Sequence, residues 1–363
     1  MPARLSPFLL LTLSALVLAL SVFTIPGLHP QVLFSLSRGR NLLSKTPLSS
    51  ATIAPFTKTT TNINPKVAAS MSTAASPTLK FEVQDWDERG HADHDWLKTF
   101  HSFSFASWYH PKWMGFSNLR VINEDRVAPK TGFPKHPHSF AEIFSYIVDG
   151  ELTHDDSLGN REILKRGDVQ FTSAGTGIRH SEYNGHSSKP VHFLQIWYNP
   201  DTRNLPPKYW TSHTPDELKL NRLATLIKPY TTLPSDALEK TGDLKEPGAP
   251  IPAHSSLVTR ASILEPGKSV THVIGEETDV AGQSDKQRGI WIQLISRSGY
   301  RAPLSNSDSS KLGKIQIGGS GGTVIEEGSG AFVKSAAVGT PVEITNVSGA
   351  NVEFIVFDVT PAA

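Results

Sequence analysis

Two histidines one residue apart, His136 and His138, lie in the stretch GFPKHPHSFAEIFSYIVDG (Gly132 to Gly150), and Glu142 follows four residues on. In an extended strand alternate side chains share a face, so the two imidazoles project together. The pair alone carries little: with 14 histidines in the chain, an HxH spacing arises by chance on the order of half the time. Downstream, GTGIRHSEYN repeats the i, i+2 spacing with His180 and Glu182. Brought opposite each other inside a barrel, the two pairs supply three imidazoles and one carboxylate. That donor set suits Fe(II), Ni(II), Cu(II), Co(II) or Mn(II), and an octahedral ion would keep positions open for water, O2 or substrate. Zinc fits by affinity, but open octahedral positions favour redox iron.

The elements needed to position these groups are strands. From Phe81 onward, short runs such as LRVINEDRV, AEIFSYIVDGEL, DVQFTS and VHFLQIWYN are separated by Gly, Pro, Asn and Asp. This is the pattern of an all-β sandwich or barrel. Gly132 and Gly150 bracket the first histidine pair, and Gly167, Gly175 and Gly177 precede the second, as turns at strand ends. After about Pro252 the pattern resumes in SLVTRASILEP, RGIWIQLIS, GKIQIGG, GAFVKSAA, PVEITNVSG and NVEFIVFDV, so the chain reads as a duplicated β-architecture. Between the halves, Asn199 to Pro252 is Pro-rich and reads as a connector packing on both, with one short helix near Asp216 to Leu226 capped by Thr214. The cluster IGGSGGTVIEEGSG precedes no helix and reads as turns, and no dinucleotide or P-loop fingerprint is present.

At 363 residues the chain has room for two domains. It has no cysteine, which excludes disulfides, iron–sulfur clusters and thiol nucleophiles. Seven of the 35 basic residues precede the first acidic one, Glu82; the remainder holds 28 basic against 34 acidic residues, a net of −6. An acidic folded region offers no footprint for non-specific nucleic-acid binding. The N-terminus, MPARLSPFLLLTLSALVLALSVFTIPG, is apolar enough after Arg4 to span a bilayer. Its fate is open: a secretory signal with Ala19 and Ser21 ahead of cleavage, a membrane anchor through residues 7–25, or a mitochondrial presequence. A start at Met71 would give a cytosolic or nuclear form. Residues 26–78, rich in Ser, Thr, Pro and Ala, read as a disordered tether.

Other groups draw plainer assignments. His91, His94 and His101 in RGHADHDWLKTFHS read as hydrogen-bonding partners of loop backbone or as lining of a cavity mouth. His186 and His192 receive no chemistry. Phe103, Phe105, Trp108, Trp113 and Phe116 read as core and rim packing. His254 and His272, in the second half, stand in positions unrelated to the first site, so that half is expected to hold no metal.

The segments HPHSFAEIFSYIVDG and GDVQFTSAGTGIRHSEYN resemble the two cupin motifs as the pirin family uses them, and RGHADHDWLKTFHSFSFASWYHPKWMGFSNLRVINEDRV resembles that family's N-terminal signature. The resemblance is strong from Phe81 to Asn199, looser beyond, and absent from the first 80 residues; SNSDSSKLGK looks like an insertion. It implies a bicupin, two antiparallel β-barrels facing each other, which here would follow the disordered N-terminal extension read from composition. Together these readings divide the chain into a targeting segment 1–25, a linker 26–78, a metal-bearing barrel 79–200, a connector 201–253 and a metal-free barrel 254–363. It implies one mononuclear metal, usually Fe(II), on His136, His138, His180 and Glu182. In the general cupin pattern the carboxylate follows the HxH pair, where Glu142 stands; the pirin form favours Glu182, with Glu142 as a neighbouring acceptor. The activity implied is a quercetinase-type dioxygenase opening a flavonol or related polyphenol with O2, Glu182 or Glu142 serving as base. The family also includes iron-binding cofactors of transcription factors, which would make a protein the partner instead.

Overall fold

The computed structural model describes residues 79–301 and 311–362. The targeting segment, the tether, Met71 and most of the expected insertion lie outside the described residues. Among the described residues no helix is long and apolar enough to cross a membrane.

Two pairs of sheets form two β-barrels, antiparallel except where the edge strands Gly242–Leu244 and Ile251–Ala253 join in parallel. In the first, an eight-stranded sheet runs in the order Gly242–Leu244, Lys208–His213, Asp168–Ser173, Glu142–Asp149, Val191–Tyr198, Leu119–Val127, Leu97–His101, Gly90–Asp93. It closes against a four-stranded sheet of Gly132–His138, Ile178–Tyr183, Glu151–Asp156 and Arg161–Lys165. The second barrel pairs a seven-stranded sheet (Glu82–Gln84, Gly330–Ala337, Gln287–Leu294, Val352–Val359, Val258–Leu264, Ala224–Pro229, Ile251–Ala253) with a four-stranded one (Ser269–Val273, Pro341–Asn346, Lys314–Ile317, Thr323–Glu326).

Alternation along the central strands divides their duties. On Glu142–Asp149, Phe144, Tyr146 and Val148 turn outward with Ile196, Tyr198 and Trp210, and bury against Trp291, Phe332, Ile355 and Phe357 of the other large sheet. This shared layer holds the barrels face to face. Ser145 turns the other way, into the first barrel. Most of the second barrel's interior is apolar, from Ile274 and Ile290 through Ile344 and Phe354, with a buried charged cluster of Arg260, His272, Arg288 and Asp358 at one end. The first has only a small apolar floor of Leu97, Val127, Ile147, Leu152, Leu164, Val191 and Phe193. Its remaining interior is polar, which a barrel tolerates only where each group is paired or has a ligand.

The layer between the barrels also contains buried carboxylates. Glu353 accepts from Arg166 Nη2 at 3.0 Å, from Arg297 Nη1 and from Tyr146 Oη, with Lys219 Nζ at 3.7 Å. Glu124 accepts from Arg89 Nη1 at 3.0 Å, His192 Nε2 at 3.0 Å and the Ser296 backbone N–H at 2.9 Å. Against the cost of burial, these partners hold both carboxyls below the usual carboxylate range.

The connector is less loop-like than its composition suggests. Lys208–His213 and Gly242–Leu244 extend the first large sheet, while Ala224–Pro229 and Ile251–Ala253 extend the second. The expected helix from Asp216 to Leu226 is cut to Asp216–Lys219, and its N-cap is Pro215, not Thr214. Asn221 takes a left-handed φ of 54° just beyond it, and Leu226 and Ile227 are buried in the sheet layer. Tertiary burial has overridden local helical periodicity. The first described strand, Glu82–Gln84, pairs with Gly330–Phe332 and so belongs to the second barrel.

Glu353→Ala leaves three cations around an emptied position, and is expected to cost about 3–5 kcal/mol in denaturant unfolding. Lys165→Ala, which breaks an exposed pair with Glu151, is expected to cost under about 1 kcal/mol. Comparable losses for the two would contradict this account of the layer.

Candidate metal centre

The strand Gly132–His138 lies antiparallel to Ile178–Tyr183, with His138 opposite Ile178, His136 opposite His180, and Phe133 opposite Glu182. From Glu182 to His180 is two residues; from Phe133 to His136 is three. The extra residue is a β-bulge at Pro134–Lys135, and it brings His136 and His138 onto the same inner face as Phe133. Proline fits such a position because it has no N–H to give the ladder. Gly132 permits the close approach: a Cβ there would stand 2.2 Å from the Glu182 carbonyl oxygen.

The three imidazoles meet as a result. Ring centroids are 4.7 Å apart for His136–His138, 4.6 Å for His136–His180 and 4.8 Å for His138–His180. Their nearest ligating nitrogens all lie within 4.8 Å of one another. His136 Nδ1 donates to the Pro134 carbonyl at 2.7 Å, leaving Nε2 as the free lone pair. His138 Nε2 and both nitrogens of His180 are buried without a partner. Burial, then the neighbouring imidazoles, push His138 down to about 2 and hold His180 well below the ordinary histidine range. They stay neutral, as metal ligation requires.

Glu182, almost fully buried, is gripped from two sides. Ser145 Oγ donates to Oε1 at 2.9 Å and Gln195 Nε2 to Oε2 at 2.7 Å. It shares a second grouping with His180 and His154, again within 4.8 Å. His138 packs on Trp197 (4.8 Å, edge-on), Trp197 on Phe105 (5.6 Å) and Phe105 on His101 (5.3 Å), an aromatic wall beside the histidines. His101 Nδ1 meets Asn123 Oδ1 at 2.8 Å, and burial lowers it to about 4. Orphaned imidazole lone pairs beside an anchored carboxylate fit a divalent transition metal.

Glu142 lies elsewhere. The strand breaks at Ser139–Ala141, where Phe140 takes a φ of 52°, and this resets the alternation. Glu142 therefore faces the layer between the barrels, and its Oε1 accepts from His254 Nδ1 at 2.8 Å and His254 N at 3.1 Å. It is in neither metal-ligand grouping. His91 bonds Tyr300 Oη at 2.7 Å, and His94 closes a backbone turn with Leu97. His186 sits in a loop, and His192 is spent on Glu124.

The second barrel permits an internal comparison. Asn184 Nδ2 donates to the Val127 and Lys189 carbonyls, and Asn346 Nδ2 likewise donates to those of Leu264 and Ala350. Counting back from these matched asparagines, Ile344 opposes Val270 as Glu182 opposes Phe133, and Val342 opposes His272 as His180 opposes His136. The Ile274 N–H bonds the Thr340 carbonyl where His138 pairs with Ile178. The counterparts of His136, His138, His180 and Glu182 are thus His272, Ile274, Val342 and Ile344. His272 therefore holds a corresponding position rather than an unrelated one. Asp358 and Arg260 engage both its nitrogens, at 3.0 and 3.3 Å.

Residues 82–198 match the Pirin family. A protein from Escherichia coli O157:H7 named quercetin 2,3-dioxygenase is 50% identical over 225 residues, 61% of this chain and 85% of that one. The chain belongs to the pirin family. A pirin-like protein from Caulobacter vibrioides is 39% identical over 209 residues, 55% of this chain and 89% of that one. In three dimensions the chain is similar to the bacterial pirin YhhW of Escherichia coli in complex with nickel(II), with 30% identity and a TM-score of 0.59 or 0.58 for its two crystal structures; the nickel complex covers 78% of this chain and all of that one. The bicupin architecture follows from both sheet order and kinship.

Sequence reasoning missed Ser145, Gln195 and His154. ELTHDD does alternate, with Leu152, His154 and Asp156 inward, but what they face depends on pairing with Ile178–Tyr183. It also passed over Asp125, whose carboxyl burial raises to about 7, with Glu182 and Glu124 adding to the rise and the Thr99 hydroxyl opposing it. An unfolded Asp ionises near pH 4. Between about pH 4 and 7 the folded state holds the extra proton, so this stabilisation is full below 4 and is lost as pH rises through 7. Metal-free Asp125→Asn, neutral throughout, should therefore gain melting temperature over wild type between pH 5 and 8. A pH-independent difference would refute this.

Proposed function

We propose that the first barrel holds one divalent first-row transition metal, with iron(II) as the resident ion, on His136, His138, His180 and Glu182, and that the chain is a quercetinase-type dioxygenase opening a flavonol or related polyphenol with O2. The observation that carries the metal assignment is the convergence of buried imidazole nitrogens without partners beside an anchored carboxylate. Support for the activity comes from relatives named quercetin 2,3-dioxygenase; support for a transition metal comes from the related pirin in complex with nickel(II).

When bound, the metal supplies an electrophilic centre with coordination positions open to substrate and O2. The protein supplies placement and proton handling. Glu182, its two oxygens steadied by Ser145 and Gln195, keeps lone pairs for ligation and for accepting the proton of an enolic hydroxyl. Glu142 instead has Oε1 occupied by His254 in the layer between the barrels, which favours Glu182 as the base. Half-buried Phe105 and Trp197 offer edges and faces to a flat aromatic substrate.

With the full-length chain loaded with Fe(II), quercetin loss and oxygen uptake should run together, and His138→Ala should lower both at least about 100-fold. Equal rates for the two proteins would sink the activity. Stoichiometric iron without turnover on any flavonol would favour a redox-sensing cofactor that binds a protein partner. Metal analysis separates the carboxylates: His136→Ala and Glu182→Ala should lose the ion, while Glu142→Ala should keep it. The reverse pattern for the two glutamates overturns the ligand set.

A further inference from the structure

His154 lies one strand away from the ligands, fully buried, directly opposite Glu182 on the neighbouring strand Glu151–Asp156. Its Nε2 is 3.2 Å from Asp156 Oδ2. Asp156 is itself fixed as an acceptor: Oδ1 receives the Leu158 and Asn160 backbone N–H groups at 2.8 and 3.0 Å, and Oδ2 receives Asn160 Nδ2 at 2.9 Å. The proton of His154 must then sit on Nε2, pointing at the carboxylate, and Nδ1 is left as a bare acceptor. That Nδ1 is buried and without a partner. Tyr209 stacks on the ring at 4.9 Å and fixes its plane.

His180 presents the complementary need. Both its nitrogens are buried and unpartnered, its ring lies 5.2 Å from that of His154, and the ligating atoms of the two approach within 4.8 Å. A metal takes one nitrogen of His180 and leaves the other as an N–H donor with no protein acceptor assigned. Ligating histidines ordinarily donate that second N–H to a carboxylate, carbonyl or water, which fixes the tautomer and raises ligand basicity. His136 meets this need through the Pro134 carbonyl. Barrel construction does not explain an imidazole at position 154: its counterpart in the second barrel, opposite Ile344, is Ile317, buried in the apolar core.

We propose that His154 is the positioning residue for His180: Asp156 orients His154, whose Nδ1 accepts the outer N–H of His180, directly or through one bridging water, and so fixes which nitrogen faces the metal. This rests on the metal assignment made above.

The test uses the full-length chain and Ni(II) as probe, with affinity measured by competition against a chelator, the number of ions bound, and melting of the metal-free protein. His154→Leu should weaken Ni(II) binding about 10- to 100-fold, with one ion per chain and no loss of metal-free melting temperature. His154→Asn, whose amide oxygen can stand near the Nδ1 position, should recover most of the affinity; His154→Gln, which reproduces the Nε2 position instead, should not. If His154→Leu does not fold, the Asn–Gln comparison decides alone. Unchanged affinity in His154→Leu overturns the inference and leaves the metal site standing, as do equal losses in Asn and Gln, which mark a structural role. Two ions per wild-type chain, one lost in His154→Leu, overturn it in favour of a second metal position. A wild-type chain that binds no nickel overturns the metal assignment itself.

Discussion

The site depends on a single slip in register. A regular pairing of Gly132–His138 with Ile178–Tyr183 would place Phe133 and His136 on opposite faces, since they are an odd number of residues apart. The bulge at Pro134–Lys135 absorbs the extra residue and turns both inward. The same kink brings the Pro134 carbonyl within 2.7 Å of His136 Nδ1, so one local distortion aims the ring and sets its tautomer. The second barrel, paired regularly at the corresponding point, puts His272 inward with no second histidine beside it. Two barrels that share the order of their central strands thus differ in chemistry through one inserted residue and a handful of side chains.

Around this slip the first large sheet works in two directions. Its outward residues join an aromatic layer against the other barrel, while its inward residues, Ser145 and Gln195, hold Glu182. Buried polar groups of this kind persist only when matched. Glu353 and Glu124 are matched across the layer by cations and backbone drawn from both halves of the chain. The second barrel backs the large sheet whose inner face holds Glu182, and most of its own interior is packed with aliphatic side chains.

Much of this was legible from residue order. Short alternating runs gave the all-β architecture, and the HxH and HSE spacings marked the three histidines that meet. Glu142 was ambiguous because its parity could be counted only along an unbroken strand, and a left-handed Phe140 interrupts the count. His154 was hidden for a different reason. Alternation shows that it points inward, but only pairing with a distant strand shows that it points at His180. The connector misled because Asp216–Leu226 carries helix-compatible residues, while the pairing of Ala224–Pro229 with Val258–Leu264 decides for strand at its end. Along an unbroken strand local pattern fixes which way a side chain faces; long-range register fixes its company.

The short strand Glu82–Gln84 has a bearing on how the molecule comes into being. It is the first described strand in the chain, yet its hydrogen bonds are made to Gly330–Phe332, near the other end. A nascent chain emerges N-terminus first, so this segment must wait unpaired while nearly everything between is synthesised. Arg89, a few residues on, is similarly bound to the Gly328 carbonyl at 2.9 Å. The two barrels are repeats in architecture but laced together in sequence: the first described strand is closed by Gly330–Ala337, a strand with only two others after it among the described residues.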